Sequence, residues 1–218
     1  MRKQYAVIGL GRFGSSICKE LYQLGHDVLA IDINKERVIN IEKYATYAVN
    51  ADGTDEDALK SLGIRNFEKV IVTIGANIQP SILCTLILKE LGVKEVWVKA
   101  HDQKHVRILE SIGADRIIQP EYEMGIRIAH QLDSSRVIEY VELSKDHSIV
   151  ELEATKKNDN KSLKQLDIRA KYGCTILAIK RGEEVVVSPS PDEKISEGDL
   201  LVAIGHKVDL VRFQEKGM

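Results

Sequence analysis

The sequence predicts an α/β protein in which a doubly wound parallel sheet is followed by a small α+β domain. Two observations carry this prediction. Short runs rich in Val and Ile alternate with helical patterns over residues 1–120, as expected for parallel strands that are buried on both faces. Beyond residue 136 the strand patterns follow one another with only short helices between them.

The first domain contains six predicted strands with helices between them. Helices start near capping residues such as Asn34 and Thr54 and end near glycines such as Gly25 and Gly113. Six such units predict a Rossmann-like sheet, whose ligand site lies at the carboxyl ends of the strands. The predicted strands span 5–9, 27–32, 47–52, 69–75, 95–100 and 115–120, and the predicted helices span 13–24, 34–44, 55–62, 78–91 and 102–112.

A helical pattern over residues 121–135 is interpreted as a helix that connects the two domains. Residues 136–218 then form the second domain, with turn-rich stretches at 156–162 and 188–199. A domain this small rarely houses a complete active site unaided, so we expect a regulatory or assembly module. Its predicted strands are VIEYVEL, SIVELEA, TILAIKR, EEVVVS and DLLVAIG.

Composition excludes several classes of function. Aromatic residues make up 5% of the chain and the net charge is −2, which argues against a nucleic-acid partner and against direct recruitment to an anionic membrane. The sequence shows neither a signal peptide nor an apolar run of about 20 residues. We therefore expect a cytoplasmic protein that serves a membrane only through a partner. Cys18, Cys84 and Cys174 form no C-x-x-C pair, and Cys18 and Cys84, which lie in helical apolar patterns, are predicted to be core residues.

A glycine-rich turn follows the first strand in the stretch YAVIGLGRFGSS. Gly9 allows the tight turn, Gly11 lets the backbone approach a pyrophosphate, and Gly14 lets the helix pack closely on the sheet. The free amides of the helix N-terminus then face the phosphate. Arg12 lies within this turn and has two interpretations. Its guanidinium binds additional phosphate groups of the ligand, or it is a solvent-exposed arginine.

Asp32 lies at the end of the second strand, 18 residues after Gly14. Its carboxylate can accept hydrogen bonds from both ribose hydroxyls, and it would repel a 2′-phosphate. The expected ligand is therefore an adenine nucleotide such as ATP, ADP or NAD, rather than NADP. The other interpretation of Asp32 is that it caps the following helix.

Further polar residues fall at the carboxyl ends of later strands. We expect the segment Asp52, Gly53 and Thr54 to frame the adenine, and Lys99 and His105 to meet phosphate. His101 and His105 have the spacing of a metal pair, but without a third ligand type zinc is disfavoured. The remaining strand-end candidates are Ile74, Gly75, Asn77 and Glu121.

In combination, these motifs resemble the RCK family, the regulators of potassium conductance. The stretches AVIGLGRFG, residues 51–93 and IGADRIIQPE are similar to its N-terminal domain, and residues 166–205, which begin LDIRAKYG, are similar to its C-terminal domain. The resemblance spans nearly the whole chain and is closest to the Ktr-type cytosolic regulatory subunits of bacterial potassium uptake systems.

The resemblance implies a regulatory role rather than an enzymatic one. In such proteins the first domain binds ATP or ADP, with NAD(H) in Trk-type relatives. Two chains pair, the pairs assemble into an octameric ring, and the ring docks on a membrane potassium-translocating subunit of the KtrB or KtrD type. The nucleotide site implied here comprises Gly9, Leu10, Gly11, Arg12, Phe13, Gly14, Asp32, Asp52, Gly53, Thr54, Ile74, Gly75, Lys99, His105 and Glu121.

The resemblance also assigns roles to single residues. Arg12 would reach nucleotide phosphate across the dimer interface, and Glu121 would help hold a divalent cation, Mg²⁺ or Ca²⁺. Cyclic di-AMP would bind between two C-terminal domains, with Arg169 as the charge for its phosphodiester; the other interpretation is that Arg169 and Tyr172 only stabilise a turn. The full set of residues expected at that site is Ile168, Arg169, Ala170, Pro191 and His206.

Two other functions compete with this one. An NAD-dependent oxidoreductase would need an acid or base facing the nicotinamide, and the histidines available after residue 120, His130, His147 and His206, have no convincing partner. A DNA-binding repressor would need a basic recognition helix, and the second domain is strand-rich and not basic.

Overall fold

The computed structural model describes residues 2–75, 77–133 and 137–218. The chain divides into two compact units, Met1–Pro120 and Glu121–Met218. Within the described residues, no helix has both the length and the apolar character needed to cross a membrane.

The first unit contains a six-stranded parallel sheet in the order β3-β2-β1-β4-β5-β6. The order reverses at β1, and the predicted doubly wound, Rossmann-like class is confirmed. The strands are β1 (Gln4–Ile8), β2 (Asp27–Asp32), β3 (Tyr47–Asn50), β4 (Lys69–Val72), β5 (Val96–Lys99) and β6 (Arg116–Ile118); the helices are α1 (Arg12–Gln23), α2 (Lys35–Ile41), α3 (Glu56–Ser61), α4 (Ile78–Glu90) and α5 (Gln103–Ile112).

Each face of this sheet has its own core, because successive side chains of a strand point to opposite faces. On β1, Ala6 and Ile8 join one cluster with Leu88 of α4, whereas Val7 joins the other with Cys18 of α1. Strands buried on both sides explain the continuous Val- and Ile-rich runs in the sequence.

The second unit contains a five-stranded antiparallel sheet in the order β11-β10-β13-β8-β7, with a separate two-stranded sheet β12-β9. The predicted small α+β domain is confirmed. Its strands are β7 (Val137–Glu142), β8 (His147–Glu153), β9 (Lys161–Ser162), β10 (Thr175–Arg181), β11 (Glu184–Val187), β12 (Lys194–Ile195) and β13 (Leu200–His206); the helices are α6 (Pro120–Asp133), α7 (Leu163–Leu166), α8 (Ile168–Tyr172) and α9 (Lys207–Lys216).

Several predicted boundaries differ from the structure. The fourth strand ends at Val72 rather than at residue 75, and the next residue, Thr73, bonds through its hydroxyl to the carbonyl of Gly9 in the glycine turn. Helix α3 is capped by Asp55, which accepts the amides of Asp57 and Ala58, and not by Thr54. Residues 134–136, the end of the predicted connecting helix and the start of the second predicted domain, lie outside the described residues.

Candidate functional site

Two of the three glycines in the turn are required by the fold itself. Gly9 has a φ of +98°, and a Cβ there would lie 2.9 Å from the amide nitrogen of Ile74. A Cβ on Gly14 would lie 2.0 Å from the carbonyl oxygen of Gly9 and 2.4 Å from Oγ1 of Thr73. Side chains at either position would push β1, α1 and the end of β4 apart.

Gly11 differs because no packing contact in the described part of the chain requires a glycine there. A Cβ built at Gly11 would meet no atom of the described residues within 4 Å, and its φ of −66° is open to any residue. It is the N-cap of α1 and, as a glycine, offers no side-chain acceptor to the first amides of the helix. This is the geometry that lets a phosphate group approach the backbone.

Thr73 holds the turn in place, and the sequence interpretation missed it. Its hydroxyl donates to the carbonyl of Gly9 and lies 3.3 Å from that of Ile8, whose oxygen also accepts the Thr73 amide at 2.8 Å. A hydroxyl directly after a buried strand, in the stretch VIVTIG, is the sequence signal that could have found it.

Asp32 is 4% exposed and faces the glycine turn. One carboxylate oxygen, Oδ2, accepts the amide of Leu10 at 2.5 Å, and the other, Oδ1, accepts the amide of Asn34 at 2.7 Å. The cap of α2 is Asn34, whose side chain accepts the amides of Glu36 and Arg37. Asp32 is therefore not the helix cap, and its carboxylate is oriented beside the amides of the turn.

The end of β3 is tied to the backbone at the end of β2. The side-chain amide of Asn50 donates to the carbonyls of Asp32 and Ile33 at 2.9 and 2.8 Å. Asp52 closes a tight turn by accepting both the amide and the hydroxyl of Thr54, at 2.8 and 2.7 Å. Gly53 is buried beneath them, and a Cβ there would lie 2.6 Å from Cγ2 of Ile8.

Lys99, Gly75 and Phe13 converge on the other side of the turn. The ammonium of Lys99 lies 5.9 Å from the centroid of the Phe13 ring and 3.7 Å from the position of a Cβ on Gly75. Ile74 packs against the core, and Arg12, the first residue of α1, is exposed. Within the first unit the structure thus gathers most of the predicted nucleotide residues around the glycine turn. Glu121 is an exposed residue in the first turn of α6, in the second unit.

His105 is buried and its ring tautomer follows from its neighbours. Nδ1 accepts the amide of His101 at 3.2 Å, which leaves the proton on Nε2. Nε2 is buried and finds no hydrogen-bond partner among the residues that the structure describes. Burial lowers the pKa of His105, an effect that the carboxylate of Asp102 partly offsets. His101 is exposed, and no group of three or more metal-binding side chains occurs in the described parts of the chain.

We expect His105 to make the fold sensitive to acid. Because its pKa is lower in the folded state, the unfolded chain takes up the proton first as the pH falls through 6.5, and stability falls by up to about 1.4 kcal/mol per pH unit. His105→Gln should flatten the pH dependence of unfolding below pH 6.5, measured by the fluorescence of Trp97, the single tryptophan. The exposed His101→Gln is the control; an equal effect of both variants would contradict this origin.

The three cysteines are buried and free, which confirms the core positions predicted for Cys18 and Cys84. Burial raises the pKa of Cys18 and Cys84 to about 12 and that of Cys174 to about 11. At neutral pH these thiols are protonated, so they lack the thiolate that a nucleophile or a metal ligand requires.

In the second unit the predicted residues fall into two groups. Arg169, Ala170 and Pro191 are exposed, and the carbonyl of Pro191 accepts the amide of Lys164 at 2.7 Å, which places its loop beside α7. Ile168 is 5% exposed and belongs to the core of this unit. The geometry therefore gives Ile168 a packing role, rather than an open face for adenine.

His206 and His147 contact each other across β13 and β8. Their ring centroids are 5.4 Å apart in an edge-to-face arrangement, and Nδ1 of His206 accepts the amide of Val208 at 3.3 Å as the cap of α9. This capping bond leaves the ring proton of His206 on Nε2, which is therefore a donor. These contacts give both histidines a structural role; the side chain of His130 lies outside the described residues.

Comparison with known proteins agrees with this architecture. The family model of the TrkA-N domain matches residues 5–120, and that of the TrkA-C domain matches residues 147–216. Ktr system potassium uptake protein A of Bacillus subtilis is 58% identical over 99% of this chain and 97% of its own length. Protein C of the same organism is 53% identical over 99% of this chain and 98% of its own length.

Among solved structures, the GsuK channel superposes with a TM-score of 0.71 over 97% of this chain and 38% of that chain. At 17% identity this likeness concerns the fold alone. The two domain matches and the full-length similarity to two Ktr proteins are what decide the family. The chain belongs to the RCK family of TrkA-N and TrkA-C proteins, among the relatives of the Ktr potassium uptake proteins A and C.

Proposed function

We propose that this chain is a nucleotide-sensing regulatory subunit that gates a membrane potassium-translocating subunit of the KtrB or KtrD type. The observation that carries the proposal is the pairing of an open Gly11 turn with the buried carboxylate of Asp32, in a chain 58% identical to a potassium uptake protein. The role is regulatory and not enzymatic, and it places the chain in the cytoplasm, held at the inner face of the membrane by its partner.

ATP or ADP is the ligand we assign to the turn, with NAD(H) as the other adenine nucleotide that the same residues fit. The amides at Gly11 would meet the phosphates, Asp32 the ribose, and the Asp52 turn the adenine. The test is thermal unfolding of the full chain with ATP, ADP, NADH and NADPH, since a ligand of the folded state raises the midpoint. ATP and ADP should raise the midpoint temperature of unfolding, and NADPH should leave it unchanged. A rise with NADPH alone would overturn the assignment.

Assembly into a homodimer and then an octameric ring is part of the same proposal. A single α1 terminus presents one exposed Arg12, and a dimer brings the partner's arginine to the same phosphates. Light scattering on the full chain with ADP should give the mass of eight chains; a monomer at micromolar concentration would remove the ring from the proposal.

Arg12 is assigned the sensing of the γ-phosphate. A ligand shifts a conformational equilibrium only through differential affinity for its two states, and ATP differs from ADP by this one group. Arg12→Ala should lower the affinity for ATP about tenfold relative to that for ADP, because one charge-assisted hydrogen bond to the γ-phosphate is lost. Calorimetry with both nucleotides measures the ratio, and the exposed Arg65→Ala controls for net charge.

Equal losses of ATP and ADP affinity would make Arg12 a general phosphate contact instead.

The same titrations test the divalent cation that we assign to Glu121. Mg²⁺ or Ca²⁺, bound by oxygen ligands, would offset the negative charge of the phosphates. Glu121→Gln should reduce the gain in ATP affinity on adding Mg²⁺. An unchanged gain would remove Glu121 from the cation site.

We further propose that the second unit binds cyclic di-AMP at a two-fold interface. A two-fold interface presents each residue twice, which suits a two-fold symmetric dinucleotide. Arg169 would pair with the phosphodiester, Ala170 and Pro191 would contact the bases, and Nε2 of His206 would donate a hydrogen bond. All four are exposed in the structure; Ile168 would support them from the core.

Calorimetry on the full chain should show one cyclic di-AMP bound per two chains. Arg169→Ala should weaken this binding about tenfold or more, whereas Arg65→Ala, which removes the same charge from the first unit, should not. A stoichiometry of one per chain would contradict the two-fold site, and unchanged affinity would return Arg169 to a structural role in its turn.

A further inference from the structure

Arg37 lies on the outer side of the Asp32 carboxylate. Its guanidinium nitrogen Nη1 is 3.4 Å from Oδ2 of Asp32, the oxygen that also accepts the amide of Leu10. The Asp32 side chain is 3% exposed, whereas that of Arg37 is 52% exposed. One end of this ion pair is therefore fixed in the fold, and the other can move into solvent.

The position of Arg37 follows from the local sequence. Asn34 caps α2 and accepts the amides of Glu36 and Arg37, which fixes the first turn of the helix directly after β2. The side chain of Arg37 then returns toward the strand end from which Asp32 projects. The carboxylate and the guanidinium thus stand side by side where the ribose of the proposed nucleotide would lie.

These two groups favour opposite ligands. A carboxylate accepts hydrogen bonds from the 2′- and 3′-hydroxyls and repels a 2′-phosphate, whereas an arginine at this place accommodates that phosphate. The planar fork of a guanidinium matches phosphate oxygens particularly well. The Asp32 carboxylate holds the Arg37 guanidinium in an ion pair. It also repels the 2′-phosphate that this guanidinium would otherwise bind.

We propose that Arg37 is a second specificity-determining residue of the ribose site, held by Asp32 in the native chain and free to bind a 2′-phosphate when Asp32 is replaced by an uncharged residue. Asp32 then selects ribonucleotides with a free 2′-hydroxyl, and Arg37 at its side weakens that selection. This inference rests on the proposed nucleotide function of the same turn.

The competing cation is Lys35, two residues earlier in the same helix and also exposed. No ion pair joins Lys35 to Asp32 in the part of the chain that the structure describes. Arg37 and Lys35 can therefore be separated by single substitutions that remove the same charge.

The experiment measures the affinity of the full chain for ADP and for its 2′-phosphorylated counterpart, two ligands that differ only in the 2′-phosphate. Asp32→Asn should shift the ratio of affinities about tenfold or more toward the 2′-phosphorylated ligand. Adding Arg37→Ala to this variant should abolish the shift, whereas adding Lys35→Ala should leave most of it. Arg65→Ala controls for net charge, and thermal unfolding of each variant reports the fold.

Arg37→Ala alone supplies a second arm that does not depend on Asp32→Asn folding. Without this guanidinium, the variant should discriminate against the 2′-phosphorylated ligand several-fold more strongly than the parent chain does. An unchanged ratio in this variant overturns the inference although ADP still binds. A wild-type chain that binds neither ligand overturns the nucleotide proposal itself, and this inference with it.

Discussion

Gly11→Ala is expected to lower nucleotide affinity by tenfold or more and to leave the stability of the fold nearly unchanged. Among the residues that the structure describes, no atom lies within 4 Å of the added methyl group, and the backbone angles at Gly11 suit alanine. It would, however, stand where phosphate must approach the first amides of α1. Each hydrogen bond to a charged group that is lost or lengthened costs about 1.5–3 kcal/mol of binding, which corresponds to at least tenfold in affinity.

Gly14→Ala is the matched substitution in the same turn. Its methyl group would lie 2.0 Å from the carbonyl of Gly9, so α1 must move away from the sheet and stability should fall with affinity. Calorimetry with ADP and thermal unfolding without ligand separate the two variants. If Gly11→Ala binds ADP like the parent, the phosphate does not approach this turn and the proposed site is wrong.

Phe213→Ala is expected to destabilise the second unit by about 3–5 kcal/mol, the usual cost of removing a buried phenylalanine. Phe213 of α9 is 0% exposed, and its ring packs 5.3 Å from that of Tyr172, centroid to centroid. Because each unit has its own core, the loss should appear in far-ultraviolet circular dichroism while the Trp97 fluorescence of the first unit persists. ADP binding should remain, and cyclic di-AMP binding should fall.

Val211→Ala provides the control on the same helix. Val211 is exposed, so its truncation should change stability by less than about 0.5 kcal/mol. A simultaneous loss of the Trp97 signal and of ADP binding in Phe213→Ala would contradict separate cores. It would mean that folding of the first unit depends on the second.

Local patterns were enough to predict the elements of the first unit. The doubly wound sheet follows from alternating apolar strands and capped helices, and the Gly9, Gly11 and Gly14 turn follows from spacing alone. Asp32 was identified in the same way, because it is the acidic residue at the end of the second strand and lies 18 residues after Gly14. In each case the residues that determine the feature lie within about one strand and one helix of each other.

Only the tertiary structure decided which of these residues act together. Thr73 bonds to Gly9 from 64 residues away, and Arg37 meets Asp32 because the cap at Asn34 sets the start of α2. Ile168, predicted at a ligand surface, packs into the core of its unit, since periodicity in a five-residue helix cannot tell an inward face from an outward one. The sequence by itself determined the fold class and the glycine turn, because both depend on local spacing. The environment of each side chain was decided by partners distant in the chain, whose approach depends on how the strands pair and the helices pack.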